Sequence, residues 1–316
     1  MSKQYALVTG AAGFIGSRLT EKLIDSGRNV IALDCFLPDL YSAEVKRERW
    51  DRLKGNDRSE LIKINFDMRS DNFSTLETYD INSIFNQAAM PGLIQDWGKF
   101  QPYYDCNISA LNRLLEFART KPLTSFIQAS TSSVYGKTAI GEEGQELRPT
   151  SPYGVSKLAA EKLLMAYLEW HGTPVKVLRY FSVYGPNQRP DMAYAKIIKA
   201  LNSGEEFIIH GDGEQRRSNT YIDDIVAATL LAEERAKSGD VMNICGDETV
   251  SLNQAISIIE EAAGRSLKKS FVPGRIGDQR ETSGSNKFAK EHLGWNATTK
   301  VEDGLKIQVE TALKTI

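Results

Sequence analysis

Short apolar runs alternate with stretches of helical spacing through the first half of the chain. The runs are typical of buried strands: YALVTG, NVIALD, LIKINF, SIFNQAA, SFIQAS and VKVLRYF. Between the first two, Leu19, Leu23 and Ile24 fall on one face of a helix. This alternation predicts right-handed βαβ units, and therefore an α/β fold with a doubly wound parallel sheet covered on both faces. Ligands of such sheets bind at the carboxyl ends of the strands.

The pattern changes after the sixth run. The segment GPNQRP, residues 185–190, interrupts the alternation, and shorter elements follow it. We predict helices at 193–202, 222–235 and 252–263, and strands at EEFIIH and VMNICG. The chain is therefore divided into a large domain, residues 1–184, and a smaller C-terminal α/β lobe, residues 185–316.

A glycine-rich segment joins the first strand to the first helix. Gly10, Gly13 and Gly16 predict a tight turn and a helix start, where backbone N–H groups and the helix dipole can bind a pyrophosphate. Asp34 ends the second apolar run, 18 residues after Gly16. There a carboxylate would bind both ribose hydroxyls and repel a 2′-phosphate. The sequence thus predicts a dinucleotide site that prefers NAD to NADP.

A second motif supplies candidate chemistry. Tyr153 stands four residues before Lys157, and one helical turn brings both onto the same face. A phenol with an ordinary pKa of about 10 is a poor base at neutral pH. The ammonium of Lys157 would favour the phenolate, and a hydroxyl from the serine-rich run 130–136 could hold the substrate oxygen. This arrangement predicts hydride transfer between NAD and a secondary alcohol, with Tyr153 as the base.

Composition and charge narrow the class of protein. The chain has 316 residues, 41% of them hydrophobic, and a formal net charge of −2, which gives no electrostatic reason to bind nucleic acid or membranes. No apolar run approaches the length of about 20 residues that spans a bilayer. The N-terminus enters a strand directly, so we expect no signal peptide and a cytoplasmic location. The charged stretch 42–56 predicts a surface helix with a solvated face.

Cysteine and histidine give no indication of a metal site. The three cysteines are scattered, without the spacing of metal ligands, as are the three histidines. We therefore expect no metal.

Taken together, the motifs resemble a known family, the extended short-chain dehydrogenase/reductases that act on nucleotide sugars (NAD-dependent epimerases and dehydratases). The resemblance runs from Tyr5 to about Leu305, and the glycine spacing is that family's own. It implies a Rossmann-type NAD domain, to which residues 220–246 return, and a nucleotide-sugar lobe. It also implies a homodimer formed through the helices after Pro102 and Ser151.

The resemblance also implies site residues. The cofactor would be bound by Gly10, Gly13, Phe14, Ile15, Gly16, Asp34, Asp67, Met68, Ala88, Ala89, Asn107, Tyr153, Lys157 and Tyr180. The catalytic group would be Thr131, Ser132, Tyr153 and Lys157. The substrate would contact Thr131, Ser132, Ser133, Tyr153, Ser182, Arg189, Arg217, Arg275 and Asp278, with Arg217 and Arg275 on the diphosphate.

The hydroxyl run indicates the reaction type. Relatives that dehydrate the sugar carry Asp-Glu in the place of this run, and relatives that decarboxylate uronic acids carry Glu at the position of Ser133. Here Thr131, Ser132 and Ser133 offer hydroxyls alone. By resemblance this favours epimerisation at carbon 4 through a 4-keto sugar, without net redox change, so that NAD stays bound.

The string RPDMA resembles epimerases that act on UDP-glucuronate, and it places Arg189 near the sugar carboxylate. Ile94 departs from that group, which carries Arg at this position, and keeps open a neutral UDP-hexose or UDP-N-acetylhexosamine as substrate. A nucleotide-sugar dehydratase or decarboxylase, and a non-catalytic NAD-sensing module, are less favoured alternatives. The sensing module would be expected to lack Tyr153 or Lys157.

Overall fold

The structure is a computed structural model that describes residues 3–38, 41–92, 96–137, 139–274 and 280–314. The strands, in chain order, are β1 (Gln4–Thr9), β2 (Asn29–Asp34), β3 (Leu61–Asn65), β4 (Asp80–Asn86), β5 (Ser125–Thr131), β6 (Ala139–Gly141), β7 (Val175–Tyr180), β8 (Ser182–Tyr184), β9 (Phe207–His210), β10 (Arg216–Tyr221), β11 (Val241–Ile244), β12 (Thr249–Ser251), β13 (Lys269–Val272) and β14 (Glu281–Gly284). The helices are α1 (Phe14–Asp25), α2 (Ala43–Arg52), α3 (Gln101–Tyr104), α4 (Ala110–Ala118), α5 (Pro152–His171), α6 (Ala193–Ser203), α7 (Ile222–Arg235), α8 (Leu252–Ala263), α9 (Lys287–Leu293) and α10 (Val301–Lys314).

Seven parallel strands form the central sheet, in the order β11-β7-β5-β4-β1-β2-β3. The six apolar runs of the first half all became strands of this sheet, so the predicted α/β fold with a doubly wound parallel sheet is confirmed. Strand β11, from the second half of the chain, pairs with β7 at one edge. The domain boundaries given above remain a prediction.

The alternation of side chains along the central strands builds two cores, one on each face. On β1, Ala6 and Val8 pack into one buried cluster, whereas Tyr5 and Leu7 pack into the other. Because successive side chains of a strand point to opposite faces, both faces of β1 are covered. Near-continuous apolar runs are what a parallel sheet buried on both sides requires.

Short polar strands build the smaller lobe, and the sequence pattern did not reveal them. The sheet β12-β10-β14-β6 has β8 paired to the far end of β10. Strand β10 reads RRSNTY, without an apolar alternation, yet its last four residues are buried. Its pairing with β8 aligns Asn219 with Ser182 and brings the lobe against the end of β7.

Within the described residues, no helix is long and apolar enough to cross a membrane.

Candidate active site

A cavity of about 500 Å³ lies at the carboxyl ends of the central strands, beneath the smaller lobe. This volume falls within the range of small-molecule sites. Most of the residues predicted for the site line it: Gly10, Gly13, Phe14, Ile15, Gly16, Asp34, Asp67, Met68, Ala88, Ala89, Thr131, Ser132, Ser133, Tyr153, Lys157, Tyr180, Ser182, Arg189 and Arg217. Arg275, Asp278 and Ile94 lie outside the described residues.

The glycine turn is formed by close backbone contacts. Gly10 has a φ of 67°, and a Cβ added there would approach the backbone nitrogen of Ala88 to 2.8 Å. A Cβ on Gly16 would overlap the carbonyl oxygen of Gly10. Gly13 is the N-cap of α1 and donates its N–H to the Gly10 oxygen at 2.9 Å. The first turn of α1 therefore opens toward the cavity, as an anion site requires.

Asp34 is held rigidly at the end of β2. Its two carboxylate oxygens accept the N–H groups of Ala12, at 2.9 Å, and Phe36, at 2.8 Å. Burial raises the pKa of this carboxyl, while the two N–H groups and the charge of Lys46 oppose the rise. The carboxylate is thus fixed by backbone groups, with its face toward the cavity.

Asn107 supports the site from behind and is not among the residues that line the cavity. Its buried side chain accepts the N–H of Met90 at 2.8 Å, and donates to the Met90 carbonyl at 3.1 Å and to Ser156 Oγ at 2.9 Å. Because Met90 lines the cavity, Asn107 helps to position this part of the wall, and its contact with the cofactor stays a prediction.

Tyr153 and Lys157 lie one turn apart on α5, as their spacing predicts. The helix starts well because Ser151 accepts the Gly154 N–H at 3.1 Å and Pro152 occupies its first position. Burial raises the pKa of Tyr153, and the Thr131 side chain and the charge of Arg189 oppose that rise. Lys157 Nζ donates to the Ala129 carbonyl at 2.6 Å. The expected effect of the ammonium on Tyr153 stays a prediction.

A buried ion pair continues the same helix face, and the sequence reading missed it. Glu161, one turn beyond Lys157, accepts two hydrogen bonds from Arg179, at 2.7 and 3.0 Å. Its oxygen Oε1 also accepts from Ser130 Oγ at 2.5 Å. Burial lowers the pKa of Lys157 to about 8, and the charge of Glu161 opposes this. The signal was available, since Tyr153, Lys157 and Glu161 follow at intervals of four.

The hydroxyl run forms a short turn at the end of β5. Thr131 Oγ1 accepts the backbone N–H of Ser133 at 3.1 Å and donates to Ser133 Oγ at 3.2 Å. The three hydroxyls of this turn therefore sit together beside Tyr153 in the cavity.

Two predicted arginines enter the cavity from the second half of the chain. Arg189 donates to both Asp191 oxygens, from Nε at 3.0 Å and from Nη2 at 2.7 Å. Burial alone would lower the pKa of Arg189, but the Asp191 carboxylate outweighs it and raises the pKa. Arg217 lines the cavity, and its Nη1 donates to the Arg216 carbonyl at 2.8 Å.

Several lining residues were not expected. Lys46 comes from the charged stretch 42–56 interpreted as a solvated face, and this interpretation was wrong for it and for the buried Arg49. Tyr41 stands just before that stretch and also lines the cavity. Cys35 and Cys106 also line the cavity. Its wall includes the ion pair of Asp67 and Arg69, with 2.7 Å between Arg69 Nη2 and Asp67 Oδ2. An apolar periodicity cannot reveal charged residues that turn inward.

The fold and the position of this cavity are those of the Rossmann class of dinucleotide enzymes. The family model described as the NAD dependent epimerase/dehydratase family matches residues 6–245. The chain belongs to this family, as its sequence predicted.

Individual relatives extend over nearly the whole chain. The Bacillus subtilis (strain 168) protein named "Uncharacterized UDP-glucose epimerase YtcB" is 41% identical over 308 residues, 96% of each chain. A UDP-glucuronate 4-epimerase of Thermodesulfobacterium geofontis is 34% identical over 99% of this chain and 97% of the relative. The crystal structure of a Bacillus cereus UDP-glucuronic acid 4-epimerase, in complex with UDP-glucuronic acid and NAD, superposes with a TM-score of 0.92 at 38% identity. It covers 99% of this chain and 100% of that one.

Proposed function

We propose that this enzyme is an NAD-dependent epimerase that inverts carbon 4 of a UDP-sugar, and that its preferred pair is UDP-glucuronate and UDP-galacturonate. One observation carries the proposal: Tyr153, the hydroxyl run and Arg189 line the same cavity as the glycine turn and Asp34. The similarity to the B. cereus enzyme, which was crystallised with UDP-glucuronic acid and NAD, supports the choice of ligands.

The part of the cavity formed by the glycine turn and Asp34, here called the nucleotide half, fits NAD. The first turn of α1 presents N–H groups for the pyrophosphate, and close backbone contacts shape the glycine turn that precedes it. Asp34 would accept both ribose hydroxyls and repel a 2′-phosphate. Asp67, Met68, Ala88, Ala89 and Tyr180 would line the rest of the cofactor, with Asn107 behind the wall. NAD bound there would accept the hydride from carbon 4 of the sugar and would later return it to the same carbon.

Tyr153 would accept the proton of the carbon-4 hydroxyl and return it after the sugar has turned. Burial raises the pKa of its phenol, so the base must be generated by nearby groups. Thr131 and the charge of Arg189 act on Tyr153 in that direction, and Ser132 would hold the reacting oxygen. Lys157 would bind the nicotinamide ribose and favour the phenolate. A positioned general base is worth about 10²–10⁴-fold in rate.

Arg189 would receive the sugar carboxylate. Asp191 uses Nε and Nη2 of the guanidinium, and Nη1 has no hydrogen-bond partner among the described residues. Thr131, Ser132, Ser133 and Ser182 would complete the carboxylate and sugar contacts, while Arg217, Arg275 and Asp278 would bind the nucleotide. Holding the carboxylate matters, because a 4-keto uronate is a β-keto acid that loses carbon dioxide once its carboxylate bond stands perpendicular to the ketone plane.

The test is a substrate panel with wild type and Arg189→Ala. A charge-assisted hydrogen bond contributes about 1.5–3 kcal/mol, so the variant should lose roughly ten- to a hundred-fold in kcat/KM on UDP-glucuronate and little on UDP-glucose. It should also release UDP-pentose, which chromatography resolves. Arg148→Ala removes an exposed arginine and serves as the control. Equal losses on both sugars would reject the carboxylate role.

A neutral UDP-hexose is the second candidate. The 41%-identical relative is named as a UDP-glucose epimerase, and Asp191 already supplies a carboxylate partner for Arg189. A wild type that turns over UDP-glucose faster than UDP-glucuronate in the same panel would establish this alternative.

We also propose a homodimer formed through the helices after Pro102 and Ser151, which are the helical segment 101–118, from α3 to α4, and α5. Tyr104 on α3 and Trp170 on α5 are large exposed aromatic side chains, 45% and 81% exposed. Light scattering during size-exclusion chromatography should give twice the chain mass, and a monomer would contradict this. The cytoplasmic location stays a prediction.

A further inference from the structure

Helix α2 is a polar helix on the surface, and the residue that it buries, Arg49, is charged. The helix reads AEVKRERWDR, and Arg49 is its buried side chain, 6% exposed. Burial of a guanidinium costs free energy unless hydrogen bonds compensate it. A charged side chain turned inward from such a helix therefore needs hydrogen-bond partners within the fold.

The partners of Arg49 come from two distant segments. Nη2 donates to the backbone carbonyl of Asn187 at 2.7 Å, across 138 residues of sequence. Nη1 donates to the hydroxyl of Tyr41 at 3.3 Å, and the guanidinium stands 5.6 Å from the centre of that ring. Both acceptors are neutral. Burial lowers the pKa of Arg49, Tyr41 opposes this, and the nearby positive charge of Arg189 adds to the lowering.

Each end of this bridge reaches the cavity. Tyr41 lines it near the charge of Asp34, and Arg189, two residues after Asn187, lines it near Tyr153. Asn187 has a left-handed φ of 60°, in a turn closed by the Gln188 N–H to the Gly185 oxygen at 3.1 Å. A strained turn of this kind keeps its shape only when its surroundings hold it.

The segment that follows Asp34 is held by the same helix. Phe36 has a left-handed φ of 54°, uncommon for a bulky residue, and its ring meets Trp50 edge-on at 5.3 Å. Lys46 Nζ donates to the Leu37 carbonyl at 2.6 Å. Helix α2 thus anchors this segment by several contacts, whereas its hydrogen bond to the turn before Arg189 comes from Arg49.

We propose that Arg49 is a positioning residue that holds the 185–191 turn against Tyr41, and so sets how far Arg189 reaches into the cavity. Through this bridge the segment beside the cofactor ribose and the arginine beside the sugar form one unit. The inference rests on the proposed role of Arg189 toward the sugar carboxylate. Without the bridge, the turn relaxes and the guanidinium leaves its working position.

The first test compares Arg49→Gln with Arg52→Gln, which removes an exposed charge from the same helix. Arg49→Gln should raise KM for UDP-glucuronate about ten-fold, with kcat changed less than about three-fold, while Arg52→Gln behaves as wild type. Arg49→Lys keeps the charge and loses the two-pronged contact, so it should fall between. A lower kcat at unchanged KM, or equal behaviour of the two glutamine variants, would overturn the proposal.

A double-variant cycle then isolates the coupling. In an Arg189→Ala background the Arg49→Gln change should no longer affect KM, because its effect passes through Arg189. Fully additive effects would overturn the proposal.

A third measurement separates this inference from the proposed function. Without substrate, the backbone amides of residues 185–192 should exchange hydrogen about ten-fold faster in Arg49→Gln than in wild type. They should also exchange faster in Arg49→Lys than in wild type. If wild type fails to act on UDP-glucuronate but this exchange rises, the proposed substrate is wrong and the bridge stands. Unchanged exchange in both variants would overturn the bridge.

Discussion

The two halves of the cavity are built by different means. In the nucleotide half, the groups that would meet the ligand are backbone N–H groups and a carboxylate that two other N–H groups hold, as at Asp34. In the sugar half, which contains Tyr153, the hydroxyl run and Arg189, the groups that would meet the ligand are side chains from separate segments. The position of Arg189 depends on Asp191 and on the turn that Arg49 contacts. The first half is fixed by backbone groups, and the second by side-chain hydrogen bonds, one of which joins segments 138 residues apart.

The two cations around Tyr153 show what this difference does to ionisation. Lys157 lies against the large sheet, where burial lowers its pKa to about 8. Arg189 has a carboxylate partner, and its pKa is raised in spite of burial. The nucleotide half therefore tunes a charge by desolvation, whereas the sugar half stabilises one by pairing. Variants that remove single groups can break this contrast.

The largest effect is expected for Tyr153→Phe, which removes the proposed base at the junction of the halves. Turnover should fall by about 10²–10⁴-fold, because general base catalysis has that value. Cofactor and nucleotide-sugar affinity should stay near wild type, since the ring remains. Rapid-quench kinetics and calorimetry measure the two quantities. A variant that retained more than about a hundredth of the rate would place the base elsewhere.

Sequence patterns recovered the nucleotide half better than the sugar half for a physical reason. Glycines at a strand–helix turn and an acid at the next strand end leave a mark at fixed spacing, so Gly10, Gly16 and Asp34 could be found. Arg49 acts through Tyr41 and Asn187, and Asn187 lies 138 residues away, so that only the folded chain brings it close. Strand β10 was missed for the same reason, because RRSNTY has no alternation and gains its burial from the lobe around it.

The next largest effect is expected for Glu161→Gln, which leaves Arg179 as an uncompensated buried charge. The two side chains are 5% and 4% exposed, and breaking such a pair costs about 3–5 kcal/mol in the free energy of unfolding. Denaturant titration measures the loss. Glu146→Gln, in an exposed pair, should leave the midpoint unchanged. Adding Arg179→Met to Glu161→Gln should restore part of the stability, and no restoration would mean that the charge itself is not the cause.

Asp34→Asn probes the nucleotide half directly. Loss of the charge should weaken NAD binding roughly ten- to a hundred-fold, because charge-assisted bonds to the ribose are lost. NADP should lose less or gain, since repulsion of the 2′-phosphate is removed and Lys46 lines the same cavity. Calorimetry on cofactor-free protein gives both affinities, with Asp51→Asn as control. Wild type that bound NADP more tightly than NAD would contradict the role of Asp34.

The smallest effect concerns the buried ammonium of Lys157. Its folded pKa of about 8 lies below the ordinary value of 10.5, so between these values the unfolded chain binds more protons than the native one. Stability must therefore rise with pH in that window, and burial of the charge costs most below pH 8. Lys157→Met lacks this dependence.

From pH 7 to pH 9 the stability of wild type relative to Lys157→Met should increase by about 1 kcal/mol. Denaturant titrations of both proteins at the two pH values measure this double difference, in which other titrating groups cancel. Arg189 gives the matched contrast, because its paired charge does not titrate in this range, so Arg189→Ala should show no such trend. A relative stability that fell with pH would mean that pairing with Glu161, rather than desolvation, governs Lys157, and the contrast between the two halves of the cavity would fail at this residue.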